Sequence, residues 1–261
     1  MDPNNPNSEK SLSRRRFFKN ASIGAAAIAG VPLLTNACAD QVKEISSLEH
    51  FFHEGDVLLF QGDSITDAGR EKTKELPNEA KSFGVGYAQA IATRLLSDLP
   101  EKKLSIYNRG ISGNKVFQLA ERWQKDCLDL KPDVLSILIG VNDYWHTRNK
   151  NYEGTPEVYE MDFRTLLDQT KTTFPDLKLI ICEPFILAET RAVDESWLEA
   201  FKPYQEAAAK IAQEFNAIWV PFQSAFTKAT ELAPATYWTA DGVHPSMAGA
   251  GLMAKTWLES I

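Results

Sequence analysis

Apolar residues gather along this chain in five short runs, each followed by a helix-length segment of mixed polarity. The runs Asp56–Phe60, Leu104–Tyr107, Val134–Ile139, Leu177–Cys182 and Ala217–Val220 are predominantly apolar rather than alternating. That pattern predicts strands of a parallel sheet covered on both faces. The segments 85–98, 115–130, 156–174, 197–215 and 246–260 predict helices between and after them. Strand–helix alternation repeated five times implies right-handed crossovers, and hence an α/β/α three-layer sandwich around a five-stranded parallel sheet. Ligands in such sheets bind beyond the carboxyl ends of the strands, so the residues just after each strand are where chemistry is sought.

Those residues are polar and specific. Gln61-Gly62-Asp63-Ser64-Ile65-Thr66-Asp67 follows the first strand, Asn108-Arg109-Gly110-Ile111-Ser112-Gly113-Asn114 the second, and Gly140-Val141-Asn142-Asp143 the third. Asp241-Gly242-Val243-His244-Pro245 stands just before the last helix. Taken singly, each reads as ordinary structure: a cap at Asp63 or Ser64, a glycine turn, an Asn turn, an Asp-Gly turn. Taken together they hold a hydroxyl, a carboxylate three residues from an imidazole, and neutral hydrogen-bond donors, all at one end of one sheet. Nucleophile, base, orienter and oxyanion donors are the parts that acyl transfer requires.

Composition narrows the setting. The 261 residues are 44% hydrophobic with 14 Phe and 6 Trp, enough for a sizeable core. Of 28 basic and 35 acidic residues, residues 1–38 hold five basic against two acidic, which leaves 23 against 33 in the body. So acidic a body offers no footprint for a phosphate backbone, which excludes nucleic acid as a partner. Three cysteines make no disulfide framework. Ser13-Arg14-Arg15-Arg16-Phe17-Phe18-Lys19, followed by the apolar run from Ala21 to Leu34, resembles a twin-arginine export signal. The run of 14 is short of the roughly 20 residues that span a bilayer. Two cleavage sites compete: before Asp40, after Ala37-Cys38-Ala39, or before Cys38, after Leu34-Thr35-Asn36-Ala37, which resembles a lipobox with Leu one place too early. The second is preferred, because an otherwise unpartnered cysteine stands where lipid would be attached. The expected organisation is a signal over 1–38, a linker over 39–55 and one catalytic domain over 56–261, in a bacterial protein that is periplasmic or held to the membrane only through Cys38.

The four blocks resemble those of the SGNH hydrolases, also called the GDSL esterase/lipase family. Gly62-Asp63-Ser64-Ile65 matches the first block with Ile in place of Leu. Gly113 within 108–113 matches the second, Gly140-Val141-Asn142-Asp143 the third, and Asp241-Gly242-Val243-His244 the fifth. The resemblance implies the flavodoxin-like SGNH fold and a role for each residue. Ser64 would be the nucleophile, His244 the general base and Asp241 its orienter. The backbone N–H groups of Ser64 and Gly113 and the Asn142 amide would form the oxyanion hole. Neither a cofactor nor a metal is implied.

Substrate contacts are expected from the loops: Arg70 in the polar insertion 67–83, Trp145 and His146 after Asn142, Phe185 after the fourth strand, and Trp238 upstream of Asp241. Aromatic residues with polar neighbours suit sugar rings, and no apolar stretch is long enough to line a fatty-chain tunnel. With export and such a rim, the resemblance to exported carbohydrate esterases of the SGNH family implies an acetylated saccharide as substrate, with lysophospholipids, short-chain lipid esters or thioesters as the alternative. Other motifs carry less. Ser112-Gly113-Asn114-Lys115 has the Ser-x-x-Lys spacing of penicillin-binding enzymes but lacks their companion motifs. No Gly-x-Ser-x-Gly elbow occurs. His50 and His53 fall in the expected linker, Cys127 and Cys182 read as buried thiols, and His146 has no carboxylate partner comparable to Asp241.

Overall fold

In the computed structural model, which describes residues 43–261, five parallel strands run in the order β2-β1-β3-β4-β5. They are β1 (Val57–Gly62), β2 (Ser105–Asn108), β3 (Val134–Leu138), β4 (Lys178–Cys182) and β5 (Ile218–Val220). The register runs Leu58↔Val134 to Gly62↔Leu138 between β1 and β3, and Val134↔Lys178 to Leu138↔Cys182 between β3 and β4. β3 is buried along its whole length and β1 and β4 at all but their first residues, as a doubly covered sheet requires. The chain leaves β1 to one side for β2 and returns to the other side for β3, so the crevice between β1 and β3 is the switch point of the sheet.

Helix α3 (Tyr87–Asp98) packs with α10 (Met247–Glu259) in one layer, and α6 (Pro156–Thr173) with α4 (Val116–Asp126) and α7 (Ser196–Glu214) in the other. Their ends are written in the sequence. Thr155 caps α6 through Val158 N–H with Pro156 in the first turn, and Ser246 caps α10 through Gly249 N–H. The two indoles inside the layers are paired: that of Trp257 donates to Ser136 Oγ (3.0 Å) and that of Trp123 to Thr170 Oγ1 (2.9 Å). Cys127 and Cys182 are free and buried.

One stretch differs from the sequence reading. Residues 39–55 were expected as a linker, but 43–51 form a helix, α1, and Leu48 and Phe52 are buried in the core. The apolar spacing there is too short to separate a docked helix from a tether. The insertion 67–83 is pinned to β2. Asn78 Nδ2 donates to Leu104 O (2.8 Å), its Oδ1 accepts from Ile106 N–H (2.9 Å), and its own N–H bonds to Ile106 O (3.0 Å). The insertion thereby covers the outer edge of β2, which would otherwise present unpaired backbone groups. The leader over 1–38, its cleavage sites and Cys38 lie outside the described residues.

Candidate active site

β1 ends on Gly62, where the chain turns so tightly that a Cβ would lie 2.3 Å from Leu138 O and 2.4 Å from Thr66 Oγ1. No other residue fits. Asp63 follows as the N-cap of the single-turn helix α2 (Ser64–Asp67), its Oδ1 accepting from Ile65 N–H (3.0 Å). Ser64 is thus presented at the carboxyl end of the sheet, partly exposed, above the switch point. Its Oγ lies 2.7 Å from His244 Nε2, and His244 Nδ1 lies 2.7 Å from Asp241 Oδ2. With Asp241 accepting from Nδ1–H, Nε2 is left to accept from the serine hydroxyl.

Asp241 is itself held by its own turn, with Oδ1 accepting from Val243 N–H (3.0 Å) and His244 N–H (2.8 Å). Burial alone would raise this carboxyl, but the bonds from the His244 ring and these two amides outweigh it and hold it below the usual range. The loop after β4 fixes the turn from outside: Leu187 N–H donates to Gly242 O (2.8 Å) and Ala192 N–H to Asp241 O (3.2 Å). Gly242 has φ +93°, and a Cβ there would strike Thr190 Oγ1 and Leu187 O at about 2.5 Å. The exposed Arg191 guanidinium reaches to 3.8 Å from Asp241 Oδ2.

Two further segments close the site. The stretch Gly140–Arg148, read from sequence as a loop, is a helix: α5 (Val141–Arg148), begun by Gly140. Eight residues with few apolar positions show no readable period, so the sequence reading missed it. α5 brings Asn142 to the crevice, where its Nδ2 donates to Asn114 O (3.3 Å). The segment carrying Gly113 is tied to α2 by Asp67, whose Oδ2 accepts from both the N–H and the hydroxyl of Ser112 (2.9 Å each) and pairs with Lys72 Nζ (2.6 Å). Arg122 ties it to α4 and β1, donating to Asn114 Oδ1 (2.9 Å), Arg109 O (2.8 Å) and Gly62 O (3.4 Å). Sequence reasoning missed both residues; an Asp in a short polar run and an Arg in a helix carry no local signal of what they hold. Beneath the site, Asp63 and Asp143 are fully buried. Burial pushes each carboxyl up to about 7, and among the described residues each keeps one oxygen without a hydrogen-bond partner.

The expected substrate contacts divide. Arg70 is buried, with Nε donating to Gly110 O (2.8 Å), so it braces the second block instead of facing a ligand. Phe185 is fully buried, stacked on Phe226 at 4.4 Å between ring centroids. Both expectations are corrected: the residue after β4 turns into the core, not to the rim. Trp238 is half-buried and spends its indole N–H on Ala229 O and Ala233 O. Trp145 and His146 remain on the half-buried wall beyond Asn142, Trp145 edge-on to Trp197 at 5.2 Å.

A hydroxyl within hydrogen-bond reach of an imidazole–carboxylate pair, at the switch point of a parallel sheet, can carry out acyl transfer. Over residues 60–252 the chain matches the pattern of the GDSL-like Lipase/Acylhydrolase family. It is 35% identical over 214 residues to an acetylxylan esterase of Geobacillus stearothermophilus, covering 79% of this chain and 94% of that one. Among solved structures, a candidate GDSL-like lipase of Parabacteroides merdae superposes with a TM-score of 0.79 at 51% identity, over 80% of this chain and 96% of the other. A structure of the Geobacillus acetyl xylan esterase superposes with a TM-score of 0.73 at 31% identity, over 80% and 95%. Two solved variants of that esterase, described as catalytic mutants, replace a serine and an aspartate by alanine. Fold and sequence together define an ester hydrolase. The chain belongs to the GDSL-like lipase/acylhydrolase family.

Proposed function

We propose that this enzyme removes acetyl groups from carbohydrate through Ser64, His244 and Asp241. The observation that carries the reading is the continuous line of hydrogen bonds Ser64–His244–Asp241, 2.7 Å at each step. Ser64 Oγ attacks the ester carbonyl while His244 Nε2 takes its proton. The carboxylate of Asp241 keeps the proton on Nδ1 and stabilises the imidazolium. The developing oxyanion is met by the N–H groups of Ser64 and Gly113 and by the Asn142 amide, whose present acceptor, Asn114 O, is 3.3 Å away and readily exchanged. His244 then protonates the leaving sugar hydroxyl, and water repeats the cycle on the acetyl-enzyme.

Similarity to the acetylxylan esterase supports the acetyl and saccharide parts of the reading. The leader-like residues 11–38 suit a polymer met outside the cytoplasm, with Cys38 as a lipid anchor or Asp40 as the mature start. The test is acetate release from acetylated xylan, pectin and algal glycans by the wild type and Ser64→Ala side by side. Release by the wild type alone is expected. A wild type that cleaves 4-nitrophenyl acetate through Ser64 but none of the glycans would move the substrate to lipid esters or thioesters.

A further inference from the structure

Beside the oxyanion donors lies a charge that this reaction does not use. Lys115, two residues beyond Gly113 and the cap of α4, is only 8% exposed. Lysine is seldom so buried without a partner. Among the described residues, no carboxylate lies within 4.0 Å of its ammonium, and its Nζ has no hydrogen-bond acceptor. It sits instead against two rings, 5.5 Å from the centroid of Phe117 and 5.4 Å from that of Tyr152, which stack on each other. Ring faces attract the ammonium but supply no counter-charge.

The surroundings say what kind of anion. Asn114 O and Val116 N–H, on either side of Lys115, bond to Asn142 Nδ2 (3.3 Å) and Asp143 Oδ1 (3.2 Å), and Tyr152, against which the ammonium rests, follows α5 in the chain, so Lys115 stands beside the helix that carries Asn142. Burial first, and then Lys115, hold the His146 imidazole below its usual pKa, so it stays neutral and can exchange hydrogen bonds with hydroxyls. Phe117 and Tyr152 are half-buried and offer apolar ring surface to the CH face of a sugar. The body as a whole is acidic, so an unpaired cation here is a local exception. We propose that Lys115 is a specificity residue, binding an anionic group (a uronate carboxylate or a sulfate ester) on the saccharide whose acetyl ester is cleaved. This rests on the carbohydrate esterase reading above and narrows its substrates to acidic acetylated sugars. An ammonium is a point charge and accepts either anion.

The test compares kcat/KM on three monoacetylated methyl glycosides: glucoside, glucuronide and glucoside 6-sulfate. The wild type is expected to favour at least one anionic sugar by about tenfold or more, mainly through KM, and the better of the two identifies the source of the charge. Lys115→Met should bring the anionic-to-neutral ratio close to one, while Lys115→Arg keeps most of it. Because the ratio is taken within each protein, a general loss of activity does not imitate the effect. Equal kcat/KM on all three, or an unchanged ratio in Lys115→Met, overturns the role of Lys115 and leaves the esterase reading standing. Hydrolysis of none of them, with 4-nitrophenyl acetate still cleaved through Ser64, overturns both. If Lys115→Met does not fold, inhibition of wild-type 4-nitrophenyl acetate hydrolysis decides. Methyl glucuronide or methyl glucoside 6-sulfate should inhibit at about tenfold lower concentration than methyl glucoside; equal inhibition overturns the proposal.

Discussion

Ser64, His244 and Asp241 are held by short bonds, whereas Asn142 meets a backbone carbonyl at 3.3 Å and can turn to a stronger acceptor. Removing that amide should therefore cost turnover and not stability. Asn142→Ala is expected to lower kcat roughly 10²–10³-fold with KM for a small acetate ester little changed; steady-state kinetics check it. Phe185 gives the opposite signature. Its ring fills the space between Phe222 and Phe226 and touches no substrate. Phe185→Ala should cost about 3–5 kcal/mol, seen as a melting point lower by roughly 10 °C, while KM of the folded enzyme stays near the wild-type value. A large rise in KM at an unchanged melting point would return Phe185 to the substrate pocket.

The five strands and the long helices stand within about two residues of where apolar patterning places them, except that α4 ends at Asp126, four residues short of the expected 130; each must bury a long apolar surface, and that need is written locally. The polar blocks were legible for a related reason: three of them begin where a strand ends, the fourth stands just ahead of the last helix, and the switch point brings strand ends together. Short elements were not legible. α1, α5, α8 (Phe222–Thr230) and α9 (Ala235–Trp238) owe their helicity to neighbours distant in sequence, as when Asp143 accepts from Val116 N–H at the start of α4. The same holds for bracing residues such as Asp67, Arg122 and Asn78, whose partners lie on other elements. Asn78 makes this testable. Asn78→Ala removes both side-chain bonds to the edge of β2 and leaves Leu104 O and Ile106 N–H without them. A loss of about 1–3 kcal/mol is expected in urea unfolding, and none at all would mean that the insertion does not cover that edge in solution.

Across the whole molecule, buried carboxyls set the response to pH. Asp63 and Asp143 have folded pKa values of about 7 against 3.8 for the free side chain. Between those values the folded chain binds protons that the unfolded chain has released, so stability falls as pH rises from about 4 to 7. Asp241 and Asp67 have lowered values and act in the other sense, contributing stability above about 4 that is lost as pH falls through their folded values. Maximal stability is thus expected on the acid side of neutrality. Asp143→Asn keeps an oxygen for Val116 N–H and cannot ionise, so its melting point should exceed the wild type's at pH 8 by a few degrees and converge with it near pH 4. A variant that melts lower than the wild type at both would refute the assignment. Long-range order also has a temporal side. The serine and the imidazole that bond to each other are 180 residues apart. A chain emerging from the ribosome therefore carries the proposed nucleophile without its proposed base until that whole stretch has been made. The pair can form only when the segment ahead of α10 docks, so that under the reading above folding the enzyme and switching it on are the same event.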